Sequence, residues 1–200
     1  MENKELLLEN LSRRGFIPHI FATKEEAAAY LLSEIQGKTV GIGGCQTAEQ
    51  MGLYEKLCEK NTVTWHWKDK SPDARRRANA AEVYISGVNA LALTGELVNI
   101  DGAGNRVAAT LFGPKKLYIV TGENKLAPTL EQAIWRARNI ASPLNARRLG
   151  KKTPCALSEE LRCYDCSSPE RICCGMVITM EKPMSMESVE IIIIEEELGY

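Results

Sequence analysis

The 200-residue sequence predicts an α/β fold: a mostly parallel central sheet flanked by helices, with one inserted β-hairpin. Three observations carry that prediction. Short β-branched runs at residues 39–42, 62–67, 83–86 and 117–120 read as buried strands. Segments with apolar residues at helical spacing alternate with them. The pattern then breaks at residues 93–112, where two extended runs flank the glycine-rich turn at residues 101–105, which reads as a hairpin.

Taken in order, residues 2–14 place Leu7, Leu8 and Leu11 on a helical face that Gly15 ends. Thr23 and Glu26 form a capping box, followed by Ala28, Leu31, Leu32 and Ile35 at helical spacing and a stop at Gly37. The strand at residues 39–42 runs through Gly43 and Gly44 into a helix whose expected capping box is Thr47 with Gln50 and whose packed face is Leu53, Tyr54 and Leu57. After the aromatic strand at residues 62–67, Ser71, Pro72 and Asp73 open a helix with Ala74, Ala78 and Ala81 on one side. Residues 128–141 form a helix with the stripe Leu130, Ala133, Ile134, Ala137 and Ala141. Little periodicity follows over residues 142–168, and residues 176–180 and 189–194 close the chain as strands. One domain, residues 1–200, with a cysteine-rich segment at residues 153–175, accounts for the whole pattern.

Composition narrows the function classes. Basic and acidic residues number 25 and 26, so no global field favours nucleic acid or a membrane surface. No apolar run reaches bilayer-spanning length, and MENKELLLEN lacks a signal-peptide pattern; the expected compartment is the cytoplasm.

Four stretches could hold chemistry. The first is residues 39–52, where a strand passes through glycines to a helix start. Free amides and a dipole end there suit a phosphate or carboxylate, and Gly41, Gly43, Gly44, Gln46 and Thr47 are the candidate binding residues. The loop fails the dinucleotide pattern, because Gln46 stands where a third glycine or alanine belongs, and no P-loop lysine follows. The second is residues 86–96, with Asn89 and Thr94 as binding candidates and Glu96 as a base or nucleophile; the plain alternative is a solvent-facing Glu96 and a turn-forming Asn89. The third is a basic segment containing Arg136, Arg138, Arg147, Arg148, Lys151 and Lys152 without an acid, in which Arg138 is the candidate counter-charge. The fourth is the cluster Cys155, Cys163, Cys166 and Cys173, whose single C-x2-C knuckle suits zinc or an iron–sulfur cluster, free redox-active thiols being the alternative. His19 and His66 have no metalloprotease spacing, and His66, between Trp65 and Trp67, reads as structural.

Beyond these single motifs, TVGIGGCQTAEQMG, WHWK, SGVNALALTGELVNIDGAGNRVAA, VTGENKL, RARNIASPLNARRL, the TPC…C..C.SPERIC segment and EELGY occur in order along nearly the whole chain. Together they resemble small members of the LUD-domain, or lactate-utilisation, family. The resemblance implies a fold like that of ribose-5-phosphate isomerase and CoA transferases. It further implies a small anionic metabolite, such as a hydroxy acid, sugar phosphate or acyl-CoA, and iron–sulfur partner subunits of a lactate-oxidation system; a homo-oligomer is compatible with it. Three positions depart from the family pattern. Cys45 replaces the usual Ser, which makes it the candidate reactive thiol beside Glu96. Leu93 stands where many relatives have Glu, a role Glu96 does not inherit by position, and Cys174 replaces a polar residue, which favours Cys173 as the ligand.

Overall fold

The structure, a computed structural model, describes residues 2–200, and side chains from residue 4. The first half of the chain contains α1 (Glu2–Arg13), β1 (Ile17–Phe21), α2 (Lys24–Glu34), β2 (Thr39–Ile42), α3 (Gln46–Gln50), α4 (Leu53–Cys58), β3 (Thr62–Trp65), α5 (Ala74–Asn79) and β4 (Val83–Gly87). Then come β5 (Ala90–Ala92), β6 (Leu97–Asp101), α6 (Asn105–Leu111), β7 (Lys116–Gly122) and β8 (Leu126–Ala127). The remainder comprises α7 (Leu130–Arg136), α8 (Ser142–Arg148), α9 (Pro154–Leu157), β9 (Gly175–Thr179) and β10 (Ser188–Ile194).

Six strands form one all-parallel sheet in the order β1-β10-β7-β4-β2-β3. Its strands are buried on both faces, which is why they read as unbroken apolar runs. In β10, Ile192 and Ile194 point into the core beneath α2, α3 and α4, while Ile191 and Ile193 point into the core beneath α1. All four are at most 3% exposed, each contributing roughly 1.5–3 kcal/mol of burial. The chain leaves β2 for β3 on one side and returns to β4 on the other. The sheet order therefore reverses at β2 and β4, where α/β sheets open a crevice beyond their strand ends.

A second sheet, β8-β5-β6-β9, packs through Ala90, Ala92 and Val98 against Ala133 of α7 and Ala137 just after it. This sheet corrects the position of the hairpin. The antiparallel pair is β5 with β6, joined through Thr94 and Gly95, and residues 105–111 are helical. Alternation in RVAATLF misled because α6 starts from Gly104 at φ +79° with no side-chain cap, so the usual sequence marker of a helix start is missing. The helix expected over residues 128–141 also extends further. Residues 137–141 form a π-turn that runs directly into α8. Pro143 is tolerated there because the register of i→i−4 bonding is already broken ahead of it, and Ser142 Oγ donates to the Ala137 carbonyl at 2.8 Å.

Candidate functional site

A cleft of about 820 Å³ opens at the carboxyl ends of β2, β3, β4 and β7. Its floor is built by the loop after β2, which supplies Gly44, Cys45 and Gln46, and by Gly87, Val88 and Asn89 at the end of β4. His66 and Trp67 follow β3, and Lys125 follows β7. The π-turn rotates Ala141, Ser142 and Asn145 into the opposite wall, a recurrent use of such turns. The cysteine-rich segment completes that wall with Arg171, Ile172, Cys173 and Cys174.

Within the loop the nominated residues divide. Gly44, Cys45 and Gln46 face the cleft, whereas Gly41, Gly43 and Thr47 lie behind it. Gly41 sits inside β2, where any Cβ would meet the Ala78 carbonyl oxygen of α5 at 2.0 Å, so it serves close packing and not ligand contact. Gly43 is covered by the Arg106 side chain and the Tyr84 hydroxyl. The expected cap is also displaced by two residues: Cys45 is the N-cap, its Sγ accepting from Ala48 N at 3.3 Å. Thr47 is instead fully buried; its hydroxyl donates to the Leu198 carbonyl at 3.3 Å and accepts from Lys125 Nζ at 2.9 Å. Because α3 is a single short turn of 5 residues, its dipole adds little to anion binding. Charge in the cleft comes from side chains.

The second stretch also separates. Asn89 lines the cleft, where its Oδ1 accepts from Ile100 N at 2.8 Å and lies 3.4 Å from Arg106 Nη2. Arg106 is held in turn by Asn99 Oδ1 at 2.6 Å, the Ile100 carbonyl at 2.8 Å and Asp101 at 3.3 Å. Thr94 and Glu96 do not reach the cleft. The Arg14 guanidinium binds Glu96 at 2.5 Å and the Thr94 carbonyl at 2.7 Å, while the Thr94 hydroxyl donates to Glu96. The Glu96 carboxylate thus clasps the hairpin turn to the end of α1, and the geometry does not place it as a base across the crevice.

Arg138 lies beyond the cleft, in a neighbouring recess with Cys163, Asp165 and Cys173, with its Nη2 3.6 Å from Asp165. Arg136, two residues earlier, is buried and donates to the Asn89 carbonyl at 2.6 Å and the Asn124 carbonyl at 3.0 Å, pinning two cleft loops together. All four nominated cysteines, Cys155, Cys163, Cys166 and Cys173, line one small cavity of about 30 Å³. Cys163 Sγ accepts from Asp165 N at 3.4 Å, and Asp165 has a left-handed φ of +44°, giving the C-x2-C segment a tight turn. Burial and the neighbouring Cys163 and Cys155 raise the Cys173 thiol pKa, which keeps it protonated. Among the described residues no three metal-type side chains converge on a coordinating position, so the thiols as placed do not fit zinc or a cluster.

Sequence reasoning missed a buried lysine in the lining of the cleft. Lys125 is 4% exposed and, among the described residues, has no carboxylate partner, and burial pushes its ammonium down to about 8. Only VTGENKL as a block drew notice; nothing local announces that Thr47, Leu198 and Gly199 bury this lysine. Also missed were Trp67, stacked on Trp65 with ring centroids 5.1 Å apart, and Arg148, whose guanidinium lies 4.8 Å over the Trp67 ring. His66, read as structural, lines the cleft with its Nδ1 buried and unpartnered among the described residues. Burial, Arg75 and Lys70 lower its pKa, leaving it neutral at pH 7.

Comparison with known proteins sets this geometry in context. The family model for the LUD domain matches residues 4–194. Among solved structures, a crystal structure of a DUF162-family protein from Deinococcus radiodurans is similar with a TM-score of 0.56. It covers 96% of each chain at 12% identity, a likeness of fold. No curated protein sequence matches the chain. No helix among the described residues is long and apolar enough to cross a membrane.

Proposed function

The chain belongs to the LUD-domain family, and from that premise we propose that it binds a small anionic metabolite in the cleft around Lys125. The charge inventory of the cleft carries this reading. Lys70, Arg75, Arg106, Lys125, Arg148 and Arg171 line it, against the carboxylates of Asp69 and Asp101. Both carboxylates are already engaged, Asp69 by Arg77 and Asp101 by Arg106. An excess of cations around a concave site, with an aromatic wall at Trp67, suits a carboxylate or phosphate on a small carbon skeleton. A hydroxy acid, a sugar phosphate or an acyl-CoA each meets that description.

A thermal-shift panel of lactate, pyruvate, inorganic phosphate, a sugar phosphate and CoA tests the proposal. At least one anion is expected to raise the melting temperature at pH 7, with the shift falling as salt screens the rim cations. Replacing Arg148 with alanine is expected to weaken that ligand about tenfold, the value of one charge-assisted contact. The sign with pH is fixed by Lys125: its ammonium form, present below about 8, favours an anion, so affinity falls as the pH rises through that value. If no member of the panel changes the melting temperature, the proposal fails.

A second reading assigns the cysteine segment a metal- or redox-dependent accessory role. One observation favours its thiol-redox form, the shared cavity of Cys155, Cys163, Cys166 and Cys173, whereas the thiols as placed do not converge as metal ligands. Metal analysis of anaerobically purified protein decides it: stoichiometric zinc, or iron with a visible sulfur-to-iron band, supports the role. Metal-free protein with freely titrating thiols removes it.

A further inference from the structure

From the placement of Lys125 we infer that the bound anion carries an aldehyde or ketone and that the Lys125 amine forms an imine with it. The inference rests on the anion reading of the cleft and names the substrate class more narrowly.

Three features of the site point this way. The side chain is buried, yet Lys125 is one of the residues that line the cleft, so it stands next to the space a ligand would fill. Its one hydrogen-bond partner among the described residues is Thr47 Oγ1 at 2.9 Å. Thr47 spends its own proton on the Leu198 carbonyl, so its oxygen accepts from the amine and fixes the direction of the nitrogen. Finally, the charges of Arg136 and Arg106 add to burial in disfavouring the ammonium, Cys45 alone opposes them, and among the described residues no carboxylate pairs with it. A desolvated lysine beside other cations is the environment in which an amine becomes a nucleophile at neutral pH. The rim cations would hold the anionic group while the carbonyl carbon reaches Nζ.

The step balances without a further reactant. The Nζ lone pair attacks the carbonyl carbon and the N–C bond forms. The carbonyl oxygen then leaves as one water that carries away the two amine protons, and a C=N bond remains.

Reductive trapping tests the inference. Wild-type protein is incubated with pyruvate or glyoxylate, reduced with borohydride and mapped by peptide mass spectrometry. Near neutral pH, Lys125 is expected to be labelled roughly a hundredfold faster than exposed lysines, from its larger neutral fraction. The label is expected to disappear in both Lys125→Arg and Lys125→Met. Inorganic phosphate, competing for the rim cations, is expected to slow labelling of Lys125 in the wild type and leave surface lysines unaffected, a comparison that needs no variant to fold. Labelling confined to exposed lysines, with Lys125 unmodified, overturns the inference. If phosphate stabilises the protein while Lys125 stays unlabelled, imine formation fails and the anion site stands; if phosphate and the oxo acids neither stabilise nor label, both fail.

Discussion

Replacing Lys125 with methionine is expected to stabilise the protein at pH 7, although it removes a polar side chain from the lining of the site. Burial holds the folded-state value at about 8, below the ordinary 10.5 of a lysine. Below pH 8 the amine is charged in both the folded and unfolded chains, so folding must desolvate an ammonium that has no carboxylate partner among the described residues. As the pH climbs from about 8 towards 10.5, the unfolded chain keeps the proton that the folded chain has released, and the cost fades. Methionine fills a similar volume without the charge but forfeits the bond to Thr47. The net gain is about 2 kcal/mol at pH 7, or roughly 4–8 °C for a chain of this size. Thermal melts of the two proteins across pH check it. The difference shrinks towards pH 10, and a variant less stable at pH 7 contradicts the argument. Stability gained together with ligand binding lost is the signature of a residue kept for function.

The second large effect separates two glycines that look alike in the sequence. Gly41→Ala is expected to cost about 3 kcal/mol or more, the upper range for overpacking a core. Its Cβ would meet the Ala78 carbonyl oxygen at 2.0 Å, the Ala78 carbonyl carbon at 2.8 Å and Tyr84 Cδ2 at 2.7 Å. Two of those atoms are backbone, so relief requires α5 to move away from β2. Gly44→Ala meets the Trp67 ring at 3.6 Å and His66 Cε1 at 3.8 Å, both ordinary contacts. It is expected to change stability by less than about 0.5 kcal/mol. Because Gly44 lines the cleft, its new methyl group narrows the space for a ligand. Urea denaturation of both variants, with anion-dependent thermal shifts for Gly44→Ala, checks the pair. Similar losses of stability in both would contradict the assignment of Gly41 to packing and Gly44 to the site.

These cases show where the sequence was informative. Strands buried on both faces, such as β10 with Ile191 to Ile194, carry their signal within four residues. The stripe that runs from Leu130 and Ala133 of α7 into Ala137 also reads directly, because its members lie at fixed helical spacing. The glycine loop was legible as a strand running into a helix start, but its internal roles could not be resolved locally. Gly41 is explained by Ala78, and Thr47 by Leu198 and Lys125. Glu96 looked chemical because it is polar among small apolar neighbours; its partner, Arg14, lies at the end of α1, far along the chain. The cations of the cleft come from β3–α5, α6, the segment after β7, α8 and the cysteine-rich segment, and only folding gathers them. Lys125 is the extreme case, since its chemistry is set chiefly by burial, with contributions from residues far away in the sequence.

The most direct measurement is the pH titration of Lys125 followed by NMR in protein carrying 13C at lysine Cε, with the Lys125→Met variant assigning the signal. In the free protein the account predicts a midpoint near 8, well below that of the exposed lysines. On addition of inorganic phosphate the midpoint moves upward, because an anion in the cleft favours the ammonium. A Lys125 signal that titrates with the exposed lysines and does not respond to phosphate would contradict the account.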